Sequence, residues 1–252
     1  MNSLTPDIAR SWLERWDRQQ EGYLPTREER FDTIIDAVAA LDRPDPVVID
    51  LGCGPGSLSV RLLDRLPKAT VIAVDTDPLL LALGRAAYGD REGLRIVDAD
   101  LTDPHWTDDL RLPRPADAAV STTALHWLDR DDLAVMYSRL AGVMAGGGLF
   151  LNGDHMFVDE RPGLAKLEER VVDAAKQRVF GDDRPEDWRQ WWDAIAQDEV
   201  LAPLAANRHT AAHRGYAAAL LSTHVDALTA AGFGEVGTLW QQGNDRVLCG
   251  IR

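Results

Sequence analysis

Three acids stand where a chain can present chemistry to a ligand. Asp50, Asp75 and Asp100 each end or closely follow a short apolar run, and Asp50 is followed by Leu51-Gly52-Cys53-Gly54-Pro55-Gly56. An ionised carboxylate is a pure acceptor, suited to hydroxyl, amino and ammonium groups, and its charge-assisted bonds are the stronger kind. Glycines at alternate positions allow a tight turn and let the backbone approach a ligand without Cβ atoms in the way. Further on, Ser121-Thr122-Thr123-Ala124-Leu125-His126-Trp127-Leu128 contributes His126. With an ordinary pKa of about 6.5 this imidazole is mostly neutral at pH 7 and can accept a proton from a hydroxyl or ammonium group. The same ring could instead hold Trp127 and the next helix against the core, a role that needs no titration. Both readings of His126 stay open at this point.

Positioning these residues requires strands that all end at one edge. Val47-Val48-Ile49 reads as a strand buried on both faces, and Leu58, Val60, Leu62 and Leu63 mark the helix after the glycines. Val71–Val74, Leu94–Val97, Asp117–Ser121 and Leu149–Leu151 read as four more strands, the last preceded by a turn at Gly146-Gly147-Gly148. Asp77-Pro78 caps the helix after the second strand, and a helix from about Asp131 to Met144 precedes the fifth. Such alternation predicts a doubly wound parallel sheet with right-handed crossovers, whose ligands lie at the carboxyl ends of the strands. Asp75 then sits at the distance from the glycine turn that nucleoside-binding folds use for an acid, about 20 residues.

Two helices precede the sheet. Thr5-Pro6-Asp7 caps the first, which carries Ile8, Trp12 and Trp16 and is broken by Gln19 to Pro25; Thr26-Arg27-Glu28-Glu29 reads as a capping box for the second. From about 158 to 214 the alternation stops and the pattern is helical, with Trp188, Trp191, Trp192 and Ile195 at helical spacing. That stripe is either a helix packed on the sheet domain or, with the Tyr23 loop, a lid over an aromatic-lined pocket. A helix from about Ala217 to Ala231 follows, then strands near Val236–Trp240 and Val247–Ile251 joined by a link short enough for an antiparallel hairpin.

The segment Asp50-Leu51-Gly52-Cys53-Gly54-Pro55-Gly56 behind a buried strand resembles the first motif of the class I S-adenosylmethionine (SAM)-dependent methyltransferases, and the Ala124-Leu125-His126-Trp127 segment resembles small-molecule members of the trans-aconitate type. The resemblance implies an α/β fold: a doubly wound, seven-stranded Rossmann-like methyltransferase sheet with the last strand antiparallel, plus a helical cap. It implies one domain over 1–252, with a core at about 45–155 and 215–252 and the cap at about 1–44 and 156–214, the N-terminal helices lying over the cofactor cleft. SAM would be the cofactor and S-adenosylhomocysteine (SAH) the product. Asp50 would face the methionine amino group, with Gly52 and Gly54 forming the loop. Asp75, with Thr76, would hold the ribose; Asp100 and the Leu101 amide would hold the adenine. Ser121 would border the cofactor, and Arg30 would reach the methionine carboxylate, with Arg27 or a surface ion pair as competing readings. Tyr23, Trp127 and Trp192 would border a small-molecule acceptor, with His126 as the base.

Composition narrows the partners. A formal net charge of −14 argues against nucleic acid or an anionic membrane as the main partner, since both need basic surface. Two cysteines, Cys53 and Cys249, give no disulfide or metal framework, and no metal-dependent mechanism is suggested. The N-terminus lacks the basic and apolar regions of a signal peptide and no run reaches membrane-spanning length, so a cytoplasmic protein is expected. Three rivals keep some or all of these motifs: an enzyme that cyclises or cleaves SAM, a non-catalytic SAM-binding module, and an NAD-dependent oxidoreductase. The last needs a third glycine one position later than it stands here.

Overall fold

A computed structural model describes residues 3–158, 161–206, 208 and 220–252. Seven strands form one sheet: β1 (Val47–Leu51), β2 (Thr70–Asp75), β3 (Leu94–Asp98), β4 (Ala116–Thr122), β5 (Met144–His155), β6 (Glu235–Gln242) and β7 (Asp245–Ile251). Their order is β3-β2-β1-β4-β5-β7-β6. The first five are parallel, and β7 enters antiparallel between β5 and β6. The order reverses between β1 and β4, the switch point beside which doubly wound sheets bind ligands.

The central strands are apolar on both faces because both are covered. On one face, α2 (Arg27–Ala39) and α3 (Ser57–Arg65) pack Phe31, Ile34, Leu58 and Leu62 onto Val48, Val71 and Val120. On the other, α5 (Arg130–Val143) and the helix Leu221–Ala230 bring Leu133, Met136, Tyr137 and Leu228 against Ile49, Ile72 and Phe150. A third cluster joins α1 (Pro6–Tyr23), α4 (Pro78–Tyr88) and α7 (Trp188–Gln197) through Trp12, Leu13, Leu79, Leu83, Trp191 and Ile195. Trp191 is fully buried and meets Trp12 and Trp16 edge-on at centroid distances of 5.9 and 5.0 Å. The tryptophan stripe therefore packs on the N-terminal helix, not on the sheet.

Several local expectations are corrected. Gln19 to Gly22 continue α1, which ends only before Leu24. Thr26 makes no side-chain cap; its hydroxyl donates instead to Gln242 Oε1 at 2.9 Å, drawn away by the hairpin. A true capping box forms at Asp187 and Gln190, opening α7. Gly146 to Gly148 lie inside β5, where the register against β4 shifts, rather than in a turn before it. Helix α1 places Trp16 by the glycine loop, and α2 packs its apolar face on the sheet. The expected stretch Ala217 to Ala219 lies outside the described residues, and the helix is described from Leu221.

The cap is tied down by buried charge. Glu168 of α6 (Pro162–Phe180) accepts from Arg246 of β7 at 2.7 Å, both nearly inaccessible. Arg30 of α2 has no exposure at all. Its guanidinium donates to Asp245 Oδ1, Thr122 Oγ1 (3.1 Å), Thr123 Oγ1 (2.8 Å) and Gly153 O (3.0 Å). A Cβ at Gly153 would overlap the Arg30 stem, which is why β5 carries glycine there. Removing one partner of such a pair leaves an uncompensated buried charge and costs about 3–5 kcal/mol. Asp245→Ala is therefore expected to lower the melting temperature by roughly 6–20 °C, and the double variant Arg30→Leu, Asp245→Ala by less. A shift under 2 °C for Asp245→Ala in calorimetry would show that the pair carries no such weight.

Candidate active site

Parallel pairing brings the ends of β1, β2, β3 and β4 to one edge, and with them the residues singled out above. Gly52, Gly54 and Gly56 adopt φ of 65°, 55° and 95°, left-handed values that favour glycine. At Gly52 the need is twofold, because a Cβ there would also overlap Ala124 Cβ. That contact seats the turn after β4 directly against the glycine loop. From above, Trp16 of α1 closes on the same loop, its ring 3.8 Å from where a Cβ of Gly54 would lie. Asp17, its neighbour, accepts from Ser57 Oγ (2.6 Å), Arg27 Nη2 (3.0 Å) and Arg61 Nη1 (3.2 Å), latching α1 to the start of α3.

Asp50 is fully buried. Oδ2 accepts from Ser59 Oγ at 2.6 Å, while Oδ1 has no hydrogen-bond partner. Burial pushes its carboxyl up to about 7, with the Ser59 hydrogen bond working the other way. Asp75 faces the loop: Oδ2 accepts from Gly54 N and Oδ1 from Thr76 N and Asp77 N, each at 2.8 Å. Three of about four acceptor positions are thus used. Burial raises this carboxyl too, against those backbone donors. Asp100 lies exposed after β3, its Oδ1 accepting from the Thr102 amide (2.9 Å) and hydroxyl (2.8 Å), and Leu101 packs partly onto the core.

Two expected cofactor contacts have other work. The Ser121 hydroxyl donates to Leu51 O at 2.9 Å, clamping β4 to β1. Arg30 donates through Nη1 and Nη2 to Asp245 and its three oxygen neighbours, and its Nε is buried without a partner. Arg27, the competing reading, keeps a buried Nη1 without a partner while Nη2 holds Asp17.

His126 lies in a short 3-10 turn, Leu125–Trp127, two residues beyond Ala124. Nδ1 stands 2.9 Å from both carboxylate oxygens of Asp154, a residue of β5 that sequence reasoning missed. The available signal was its place as an acid at the end of a parallel strand, like Asp75. Burial opposes charge on the imidazole, but Asp154 outweighs it and raises the ring above its ordinary value. Burial likewise works to raise Asp154, and His126 overcomes it, bringing the carboxyl down to about 2. Relative to a free ring, the pair with Asp154 favours the imidazolium. Trp127 lies beside His126, ring centroids 5.6 Å apart. Tyr23 is partly exposed, and its hydroxyl accepts from Trp188 N at 2.9 Å, fixing the start of α7. Trp192 packs on Trp188 and Trp191 and lies under the Arg208 guanidinium at 3.5 Å.

A methyltransferase-domain family model matches residues 48–148, the segment that contains the loop, all three acids and His126. An uncharacterised methyltransferase of Mycobacterium tuberculosis is 32% identical over 152 residues, covering 60% of this chain and 71% of the relative. The chain belongs to the class I SAM-dependent methyltransferases. A trans-aconitate 2-methyltransferase of Methylobacterium nodulans is 33% identical over 134 residues, 53% of this chain and 47% of that one. The match thus spans less than half the length of that relative. Among solved structures, human N-acetylserotonin methyltransferase in complex with SAM superposes with a TM-score of 0.56 over 97% of this chain and 57% of its own, at 16% identity, a likeness of fold.

The residues of this methyltransferase fit the family's cofactor. The unpartnered Asp50 Oδ1 suits an ammonium, the glycines leave the loop open to close approach, and the unpartnered Arg27 Nη1 suits a carboxylate. Among the described residues no group of three His, Cys, Asp or Glu side chains is placed to hold a metal, and no helix is long and apolar enough to cross a membrane.

The Asp50 value sets a pH dependence. Its folded-state pKa lies above the unfolded one, so its contribution to stability is full below about 4 and lost as pH rises through about 7. An ammonium ligand reverses this by favouring the ionised form. SAH affinity, measured by calorimetry, is expected to fall about tenfold per pH unit well below 7 and to become flat between pH 5 and 7 in Asp50→Asn. A wild-type affinity constant across that range would remove Asp50 from the ammonium site.

Proposed function

We propose that the chain transfers a methyl group from SAM to a small-molecule acceptor, with His126 as the general base. The reading is supported above all by the His126–Asp154 dyad, which stands on the turn that Ala124 seats against the glycine loop. In this reading Asp50 takes the methionine amino group, Arg27 its carboxylate, Asp75 and Thr76 the ribose, and Asp100 with the Leu101 amide the adenine. Gly52 and Gly54 supply the close approach. Tyr23, Trp127 and Trp192 belong to the acceptor side, and the chain works as one domain with α1, α2 and the 156–214 helices as its cap.

When bound, SAM supplies a methyl group already activated for in-line displacement by its sulfonium. The protein's part is orientation, exclusion of water and removal of one proton. Orientation of bound reactants is worth up to about 7–11 kcal/mol in favourable cases. Asp154 fixes the imidazole through Nδ1, so proton transfer runs through Nε2. Once the base has accepted a proton, the imidazolium is stabilised by the carboxylate beside it, as Asp154 already does in the resting pair. The raised ring value moves the pH at which the base form becomes abundant upward from that of a free imidazole.

The dyad also leaves a mark on stability. Raised His126 contributes below about 6.5 and loses its contribution as pH climbs through the folded value; depressed Asp154 contributes above about 4 and loses it as pH falls towards 2. Both describe one ion pair, strongest between those limits.

His126→Ala is expected to lower turnover by about 10²–10⁴ while SAH affinity stays within a few-fold of wild type. Asp154→Asn should shift the rise of turnover with pH to lower pH, since the charge that raises the ring is removed. The products separate the remaining chemistry: mass spectrometry should find SAH and a methylated acceptor, whereas methylthioadenosine would mean that SAM itself is cleaved. Normal turnover across pH 6–9 in a folded His126→Ala would leave the ring as scaffold.

A further inference from the structure

The helical cap reaches the cofactor edge of the sheet through a charged contact. Asp77, two residues beyond Asp75, is the N-cap of α4: its Oδ1 accepts from Leu79 N at 3.0 Å and Leu80 N at 3.1 Å. Its Oδ2 accepts from Arg208 Nε at 2.6 Å, and both side chains of this pair are mostly buried. Arg208 follows the short helix Ala202–Ala205, its amide donating to Ala205 O at 3.1 Å. Its guanidinium lies 3.5 Å from the centre of the Trp192 ring and 5.3 Å from that of Trp188. Aromatic faces attract a cation, the more so when water is kept away. Arg208 thus joins two tryptophans of α7 to the first turn of α4.

That turn governs Asp75. The Asp77 amide donates to Asp75 Oδ1 at 2.8 Å, one of the three backbone bonds that aim the carboxylate. The backbone of Asp77 therefore helps to set where Asp75 points. The two carboxylates also repel each other. Burial raises the Asp75 carboxyl most, and the charge of Asp77 adds to that effect. A guanidinium on Asp77 offsets this charge. Packing alone would not do the same. Trp191, Ile195, Leu79 and Leu83 share an apolar cluster, and such contact has no direction. An ion pair that seats Nε on one carboxylate oxygen does have one, and it fixes the cap against the turn. Arg208 lies outside residues 48–148, the stretch that matches the methyltransferase-domain model.

We propose that Arg208 is a positioning residue for the ribose of the cofactor, acting through Asp77 on the orientation of Asp75. Recognition of the ribose hydroxyls then depends on how the cap is seated, and recognition of the adenine does not. This rests on Asp75 as the ribose acid and adds to that reading the residue that sets its geometry.

The test compares adenosine with 2′,3′-dideoxyadenosine, which lacks both ribose hydroxyls, by calorimetry on the full chain, with SAH as a third ligand. Wild type is expected to prefer adenosine by about tenfold or more, the worth of a hydrogen bond to a charged acceptor. Arg208→Met, which keeps an apolar stem against Trp192, should weaken adenosine and SAH by about tenfold and dideoxyadenosine by less than about twofold. Arg208→Lys keeps the charge without the planar fork, and should bring adenosine back to within about threefold of wild type. A role in general stability predicts an equal loss for the two nucleosides instead. That result, or unchanged adenosine affinity in Arg208→Met, would overturn the proposal. Should Arg208→Met not fold, Arg208→Gln removes the same charge with a polar side chain and is read in the same way. Failure of wild type to tell the nucleosides apart, or full retention of the preference in Asp75→Asn, would sink Asp75 as the ribose acid, a result distinct from these.

Discussion

The geometry of the site depends on one buried guanidinium. Taking a charge out of water costs several kcal/mol even after relaxation, and that cost is met only if every surrounding oxygen is in place. For Arg30 those oxygens come from three strands: Asp245 at the start of β7, Thr122 and Thr123 at the end of β4, and the Gly153 carbonyl near the end of β5. The arginine therefore fixes the relative position of the two strand ends that lead to His126 and Asp154. The turn to Ala124 and His126 leaves from Thr123, and Asp154 follows Gly153. Its charge also acts directly, helping to hold Asp154 ionised and opposing charge on His126. A slip of either strand end would strand the guanidinium before it misaligned the dyad.

Much of this was legible in the sequence because it is local. A strand, a glycine turn and a helix are encoded by neighbours, and the acids at strand ends fall at one edge as soon as the strands are parallel. What was not legible lies in pairings across distance. Arg30 reads as a partner of the methionine carboxylate or as a surface ion pair, whereas the carboxylate it meets lies 215 residues away. Asp154 reads as the end of an alternation, and only the pairing of β4 with β5 sets it against His126. Thr26 shows the reverse failure: a correct local motif yields to Gln242, a partner brought by the hairpin. The glycine run at 146–148 signals a break, but a register shift within a long strand satisfies it as well as a turn does.

Helix α1 couples cap and core by two unlike interactions. Its tryptophan stripe joins α7 by apolar contact, which is indifferent to small shifts along the seam. Asp17 joins it to Ser57, Arg27 and Arg61 by directional bonds beside the glycine loop. Asp17 and a bound methionine carboxylate would seek the same donors, Arg27 and the start of α3. Seating the cofactor and holding α1 in place are therefore linked through one arginine, whose second nitrogen is the donor left over.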